Sequence, residues 1–157
     1  MGHEAEFGQF YESKARSVFS AVYSLCRDSD LAEDATQEAF ARALARWDRL
    51  RSEPWAAGWV TTTALNVARR GLRRRPVLQP ASDPQASPSP EEAIDLWRRV
   101  RMLPRRQQEV VVLYYRLQMP VDEIARALGT TDGTVRTHLV RAREALRATL
   151  QEAADGG

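Results

Sequence analysis

Five of the eight prolines fall in one fifteen-residue stretch, PVLQPASDPQASPSP, from Pro76 to Pro90. Proline fixes its own φ and lacks an N–H, so neither a helix nor a central strand can run through such a segment. Ser, Gln and Asp fill most of the gaps, leaving little to bury. The stretch therefore reads as a linker in an extended, polyproline-like regime. At ~3 Å per residue it could reach roughly 45 Å. A chain of 157 residues is thereby cut into two pieces, 1–75 and 91–157, each of which must build its own small core.

Both pieces carry helical periodicity, and no strand pattern competes. In the first, Phe7, Tyr11, Val18, Val22 and Leu25 recur mostly at intervals of three and four. A second helix is expected from Asp30, with Glu33 three residues on as in a capping box. Its stripe is Leu31, Ala35, Ala39 or Phe40, Ala43, Leu44 and Trp47. Pro54 suits the first turn of a third helix, running through Trp59, Leu65 and Leu72. In the second piece, helices are expected over Ile94 to Met102, Arg105 to Leu117 and Val121 to Leu128. Gly129 closes the last of these as a C-cap. Thr130 or Thr131 then N-caps a final helix to about Leu150. The fold class is all-α, two small helical domains joined by a proline-rich linker.

The last two helices, short and then longer across a glycine-containing turn, make a helix-turn-helix. Val135, Leu139, Ala142 and Leu146 form the buried stripe of the second. Thr134, Arg136, Thr137, His138, Val140, Arg141 and Arg143 are left facing outward. In this motif the start of the second helix enters the major groove of DNA. Arg136 and Arg141 then suit guanine edges or phosphates, and Thr134 and Thr137 suit phosphates near the helix N-terminus. The competing reading is a plain helical hairpin with a solvated basic face. His138 has no second His, Cys or Asp at ligand spacing, so no metal site is expected there.

Charge divides the first piece. Up to Phe40 there are eight acids against three bases, whereas Asn66 to Arg75 holds five arginines and no acid. Asp34, Gln37, Glu38 and Ala41 share one face of the second helix. The helix macrodipole accounts for acids in a first turn but poorly for Glu38, two turns in. An acidic ridge repels DNA and should meet a basic protein surface. Asn66, Arg69, Arg70 and Arg73 lie together on the third helix, with Trp55 and the loop before it close in sequence. Cations beside flat and amide side chains suit single-stranded DNA. Core packing is the competing explanation for the tryptophans, favoured for Trp59 and open for Trp55.

Other classes of function find little support. Cys26 is alone, so no intramolecular disulfide forms, and it reads as a small buried hydrophobe. The N-terminus lacks the apolar segment of a signal peptide, and the longest apolar run, Val110 to Tyr115, is too short to span a bilayer. A cytoplasmic location without membrane insertion is expected. Two histidines, one cysteine and no phosphate-cradling glycine loop argue against an enzyme, and no cofactor or small-molecule substrate is implied.

Taken together, these stretches resemble the extracytoplasmic-function (group IV) sigma factors of bacterial RNA polymerase, over about Phe7 to Leu150. The order carries the resemblance: DLAEDATQEAF, then W…ALNVARR, a linker, LPRRQQEVVVLYY and DEIARALGTTDGTVRTHLVRAREAL. The resemblance implies that Asp34, Gln37 and Glu38 dock on the β′ coiled coil of core polymerase. It implies that the loop Leu50 to Ala57, with Arg51 and Trp55, and the helix bearing Asn66, Arg69, Arg70 and Arg73 take the non-template strand of the −10 element. Thr134, Arg136, Thr137, His138, Val140 and Arg141 match −35 reading positions. The helix around Leu113 to Leu117 would meet the β flap, and the linker would thread toward the RNA exit path. An anti-sigma factor is a further partner open to such a protein. His138 stands where the family usually has Arg, Gln118-Met119-Pro120 replaces a commoner Gly-Leu-Ser, and Gly58 with Thr61, Thr62 and Thr63 is atypical. The alternative is an autonomous helix-turn-helix regulator that binds duplex DNA without polymerase, usually at paired half-sites.

Overall fold

The computed structural model describes residues 2–74 and 91–155, with side chains for 2–74 and 96–148. All the elements among these residues are helical. The chain divides into two compact units, Met1–Pro84 and Gln85–Gly157. The linker expected over residues 76–90 lies outside the described residues.

In the first unit, α1 (Gly2–Cys26), α2 (Ser29–Ala45) and α4 (Ala56–Arg74) pack on one another, with the single-turn α3 (Trp47–Leu50) between α2 and α4 in the chain. The core is Val18, Ala21, Val22 and Leu25 of α1, Ala35, Ala39, Phe40 and Ala43 of α2, and Val60, Ala64, Leu65 and Ala68 of α4. So many alanines let the helix axes come close. At Gly71 there is no room for a side chain, since a Cβ would sit 2.5 Å from Leu31 Cδ1. Thr61, Thr62 and Thr63 are accommodated within α4, each hydroxyl turned back onto the carbonyl four residues earlier, at 2.7, 3.0 and 2.8 Å. That satisfies Thr61, which is fully buried.

Three sequence expectations change here. First, α2 is capped by Asp28, not by an Asp30–Glu33 box. The chain leaves α1 through Arg27 in the left-handed region (φ 56°). This sets Asp28 extended, and its Oδ1 accepts from the Leu31 N–H at 2.9 Å. Asp28→Ala is expected to lower the thermal stability of this unit by about 1 kcal/mol, measurable by circular dichroism, whereas Asp30→Ala should leave it nearly unchanged. Second, α2 stops at Ala45, so Trp47 belongs to α3. It is still buried, its ring 5.3 Å from Phe7 and 5.0 Å from Phe10. Leu44 turns outward and is 50% exposed, because Ala43 already occupies the inner face one residue earlier. Third, Pro54 lies in the turn before α4 rather than in its first turn.

The second unit comprises α5 (Glu91–Val100), α6 (Arg105–Val111), a π-helical turn (Val112–Arg116), α7 (Val121–Leu128) and α8 (Asp132–Asp155). Helix α5 ends two residues short of the expected Met102. Gln108 of α6 reaches back to its end, with Nε2 donating to the Val100 and Arg101 carbonyls at 3.3 and 3.2 Å. The single expected helix Arg105 to Leu117 widens over its last turn, where Leu117 N–H bonds to the Val112 carbonyl. Val110, Val111, Val112 and Leu113 are all buried in succession, more than one α-helical stripe can turn inward. Gln118 then adopts a positive φ of 55° and Met119 drops into the core. Helix α7 has the expected bounds, Val121–Leu128, and Gly129 closes it at φ 68°. Helix α8 continues past Leu150 to Asp155.

Candidate nucleic-acid interface

The turn between α7 and α8 is fixed by backbone and hydroxyl bonds. Thr130 N–H bonds to the Ala125 carbonyl at 2.9 Å. Thr131, not Thr130, is the N-cap: its Oγ1 accepts from the Thr134 N–H at 3.2 Å and donates to Thr134 Oγ1 at 2.9 Å. From this start Val135, Leu139 and Ala142 point into the core, while Leu146 is only half-buried. Thr134, Arg136, Thr137, Val140 and Arg141 are exposed together on the other side. Thr137 Oγ1 is turned back onto the Gly133 carbonyl at 2.9 Å, yet its oxygen can still accept or be re-aimed. Val140 is 49% exposed, an apolar group among polar ones, which suits a thymine methyl.

Two residues of this helix differ from their sequence reading. His138 is half-buried rather than a free surface group, and its Nδ1 is covered with no hydrogen-bond partner. One edge of the ring is therefore covered, and only the other is left to meet a ligand. Arg143 is exposed but engaged. Its Nε donates to Tyr115 Oη at 2.7 Å, and its guanidinium lies 5.7 Å from the rings of Tyr114 and Tyr115. The Tyr115 hydrogen bond raises its pKa above the ordinary arginine value, against the opposing effect of burial. Arg143 thus ties α8 to the π-helical turn, across 28 residues of sequence. No periodicity in the sequence signals such a tie.

In the first unit, α4 carries Asn66, Arg69, Arg70 and Arg73 on one side. Arg69 Nη1 donates to Asn66 Oδ1 at 2.9 Å, which orients the amide, and Arg70 and Arg73 are exposed. Trp55 is half-buried in the turn before α4. Trp59, expected in the core, is also half-buried, with the Arg46 guanidinium 5.5 Å from its ring centre. Leu50 is 4% exposed, so it supports the following loop from beneath and cannot itself touch a nucleic acid. Arg51 is exposed and paired with Glu6 at 2.9 Å.

On α2, Asp34, Gln37, Glu38 and Ala41 are all exposed, as the helical spacing predicts. Gln37 Nε2 donates to Tyr11 Oη at 2.6 Å and Glu38 pairs with Arg42 at 2.8 Å. Cys26 is buried, as expected of a lone small hydrophobe, and its Sγ makes a weak bond to the Asp28 carbonyl at 3.4 Å. Among the described residues no group of three or more His, Cys, Asp or Glu could hold a metal ion, and no helix is long and apolar enough to cross a membrane.

Two family models match the chain, sigma-70 region 2 over residues 10–76 and sigma-70 region 4 over residues 93–146. The RNA polymerase sigma-E factor of Streptomyces coelicolor is 30% identical over 158 residues, covering 96% of this chain and 89% of that protein. The chain belongs to the sigma-70 family. Within it, this is an extracytoplasmic-function sigma factor. The probable RNA polymerase sigma factor RfaY of Xanthomonas campestris is 29% identical over 98% of this sigma factor, which spans only 42% of the length of that longer protein. The fold is that of the sigma factor RpoE in its complex with the anti-sigma factor NepR from Bartonella quintana. The TM-score is 0.73 at 21% identity, covering 92% of this chain and 96% of that one. Such a sigma factor is a promoter-specific initiation factor that binds core RNA polymerase, not an autonomous regulator.

Proposed function

We propose that the two units divide promoter recognition between them. Residues 1–75 dock on core polymerase and take the −10 element, residues 91–157 read the −35 element, and residues 76–90 tether the two. Asp34, Gln37 and Glu38 meet the β′ coiled coil. Arg51, Trp55, Asn66, Arg69, Arg70 and Arg73 face the −10 strand, with Leu50 as their support. Thr134, Arg136, Thr137, His138, Val140 and Arg141 face the −35 duplex, and the segment around 113–117 meets the β flap. The protein performs no covalent chemistry and acts in the cytoplasm. An anti-sigma factor that covers these faces would hold it inactive.

The observation that carries this reading is the separation of charge within one small unit. Exposed acids lie on α2, exposed arginines on α4. A surface that repels nucleic acid and one that attracts it on the same unit fit simultaneous contact with a basic protein and with DNA. Tethering then makes the second DNA contact effectively intramolecular, so two weak sites act as one selective site.

Run-off transcription from a genomic library, with core polymerase in the presence and absence of the protein, tests the reading. Specific transcripts should appear only when both are present. Tight binding to duplex half-sites by the protein alone, with no change in transcript pattern, would overturn it. Within the −10 surface, Asn66→Ala is expected to reduce open-complex formation about tenfold, the loss of one base contact of ~1–3 kcal/mol, while polymerase binding stays unchanged. Normal permanganate reactivity of the −10 thymines in that variant would remove Asn66 from the site.

A further inference from the structure

Arg51 follows α3 directly and opens the turn that carries Trp55. Its guanidinium is held from one side: Nε and Nη2 donate to Glu6 Oε2 at 3.1 and 2.9 Å. Glu6 sits 45 residues earlier, near the start of α1. The same stretch of α1 grips α3 twice more. Phe7 and Phe10 pack on Trp47 at 5.3 and 5.0 Å, and His3 Nδ1 lies 3.2 Å from Asp48 Oδ1. The position of Arg51 is therefore set by α1 as well as by its own loop.

The side-on geometry leaves the end of the fork open. Of the five guanidinium N–H groups, two are taken by Glu6, and the others have no protein partner among the described residues. Arg51 and Glu6 remain 39% and 38% exposed, so a ligand can reach that free edge without breaking the pair. The carboxylate also cancels the charge locally. A compensated guanidinium attracts a phosphate weakly, but it keeps directed donors for the neutral acceptors on a base edge. Buttressing from one side also spares it the loss of rotamer freedom on binding.

We propose that Glu6 makes Arg51 a charge-compensated reader of a base edge in the −10 strand, rather than one of the phosphate contacts supplied by α4. Glu6 is thereby a positioning residue. The inference rests on the assignment of the turn 51–55 to the −10 strand.

Salt dependence separates the two kinds of contact, because each neutralised phosphate on a single strand adds about 0.7 to the slope of log affinity against log salt. The assay uses the protein bound to core polymerase and a fork-junction template bearing the −10 strand of a promoter recovered by run-off. Matched and scrambled −10 strands are compared across a series of KCl concentrations. Arg51→Ala should cut the preference for the matched strand about tenfold and leave the slope unchanged. Glu6→Gln should steepen the slope by about 0.7, since an uncompensated arginine now gathers a phosphate, and should also reduce the preference. A shallower slope for Arg51→Ala with no change for Glu6→Gln would make Arg51 an ordinary phosphate clamp and overturn the proposal. If neither variant changes slope or preference, the pair does not touch DNA and the proposal fails. Asn66→Ala in the same assay tells that failure from a wider one: a loss there keeps the −10 surface in place, whereas no loss removes it as well. The pair is exposed, so both variants should melt as the parent does, and Glu6→Asp, which keeps the charge, should retain the parental slope.

Discussion

Glu109→Ala is expected to destabilise the second unit by about 3 kcal/mol, seen as an early urea transition of that unit while the first unit unfolds as before. Glu109 is 0% exposed on the inner side of α6, beside Val110 and Val111. Its carboxylate accepts from Arg106 Nη1 at 3.3 Å and lies 3.9 Å from Arg105 Nε. Both arginines keep more than half of their side chains in water. The pair thus runs from the core to the surface. Truncation to alanine leaves a void and unmade hydrogen bonds inside a unit this small, where a few kcal/mol is much of the total stability. Glu109→Gln keeps the volume and an acceptor oxygen and should cost about 1 kcal/mol. Equal losses for the two variants would show that charge, not packing and hydrogen bonding, sets the cost. Because α6 packs on α8, −35 binding should fall with stability in the alanine variant and recover on cooling.

Arg141→Ala is expected to cost ~1–3 kcal/mol of discrimination at one position of the −35 element without lowering stability. Arg141 is exposed on the same side of α8 as Thr134, Thr137 and Val140. Arg143 provides the internal contrast, since its guanidinium is committed to Tyr115. Competition among −35 variants bound by the holoenzyme separates the possibilities. A loss confined to one base position marks Arg141 as a base reader. A uniform loss, with the salt slope shallower by about 0.9, would make it a phosphate contact instead. Arg143→Ala should act mainly on the stability of the unit, because it frees the π-helical turn from α8.

Much of the architecture was legible because it follows from local rules. The bounds of α7 could be read from Pro120 and Gly129, since a residue that cannot donate and a residue that tolerates positive φ mark the two ends of a short helix. The outward face of α8 followed from the spacing of Val135, Leu139 and Ala142, all buried. The acidic ridge of α2 followed in the same way. Failures came where two local signals competed. Asp28 and Asp30 are both good caps, and the choice depended on where α1 ended, which Arg27 decided by taking a conformation usually left to glycine. Leu44 and Trp47 fall at the spacing of one stripe, but the helix breaks between them.

Sequence by itself determined the division into two helical pieces, the inner faces of α7 and α8 and the family, because each rests on residue order and periodicity within a single element. Tertiary structure alone decided which charged side chains are free to act. Glu6 reaches Arg51 across 45 residues, and Tyr115 captures Arg143 across 28. Those pairings depend on how helices distant in sequence lie against each other, a property that no spacing along one helix encodes.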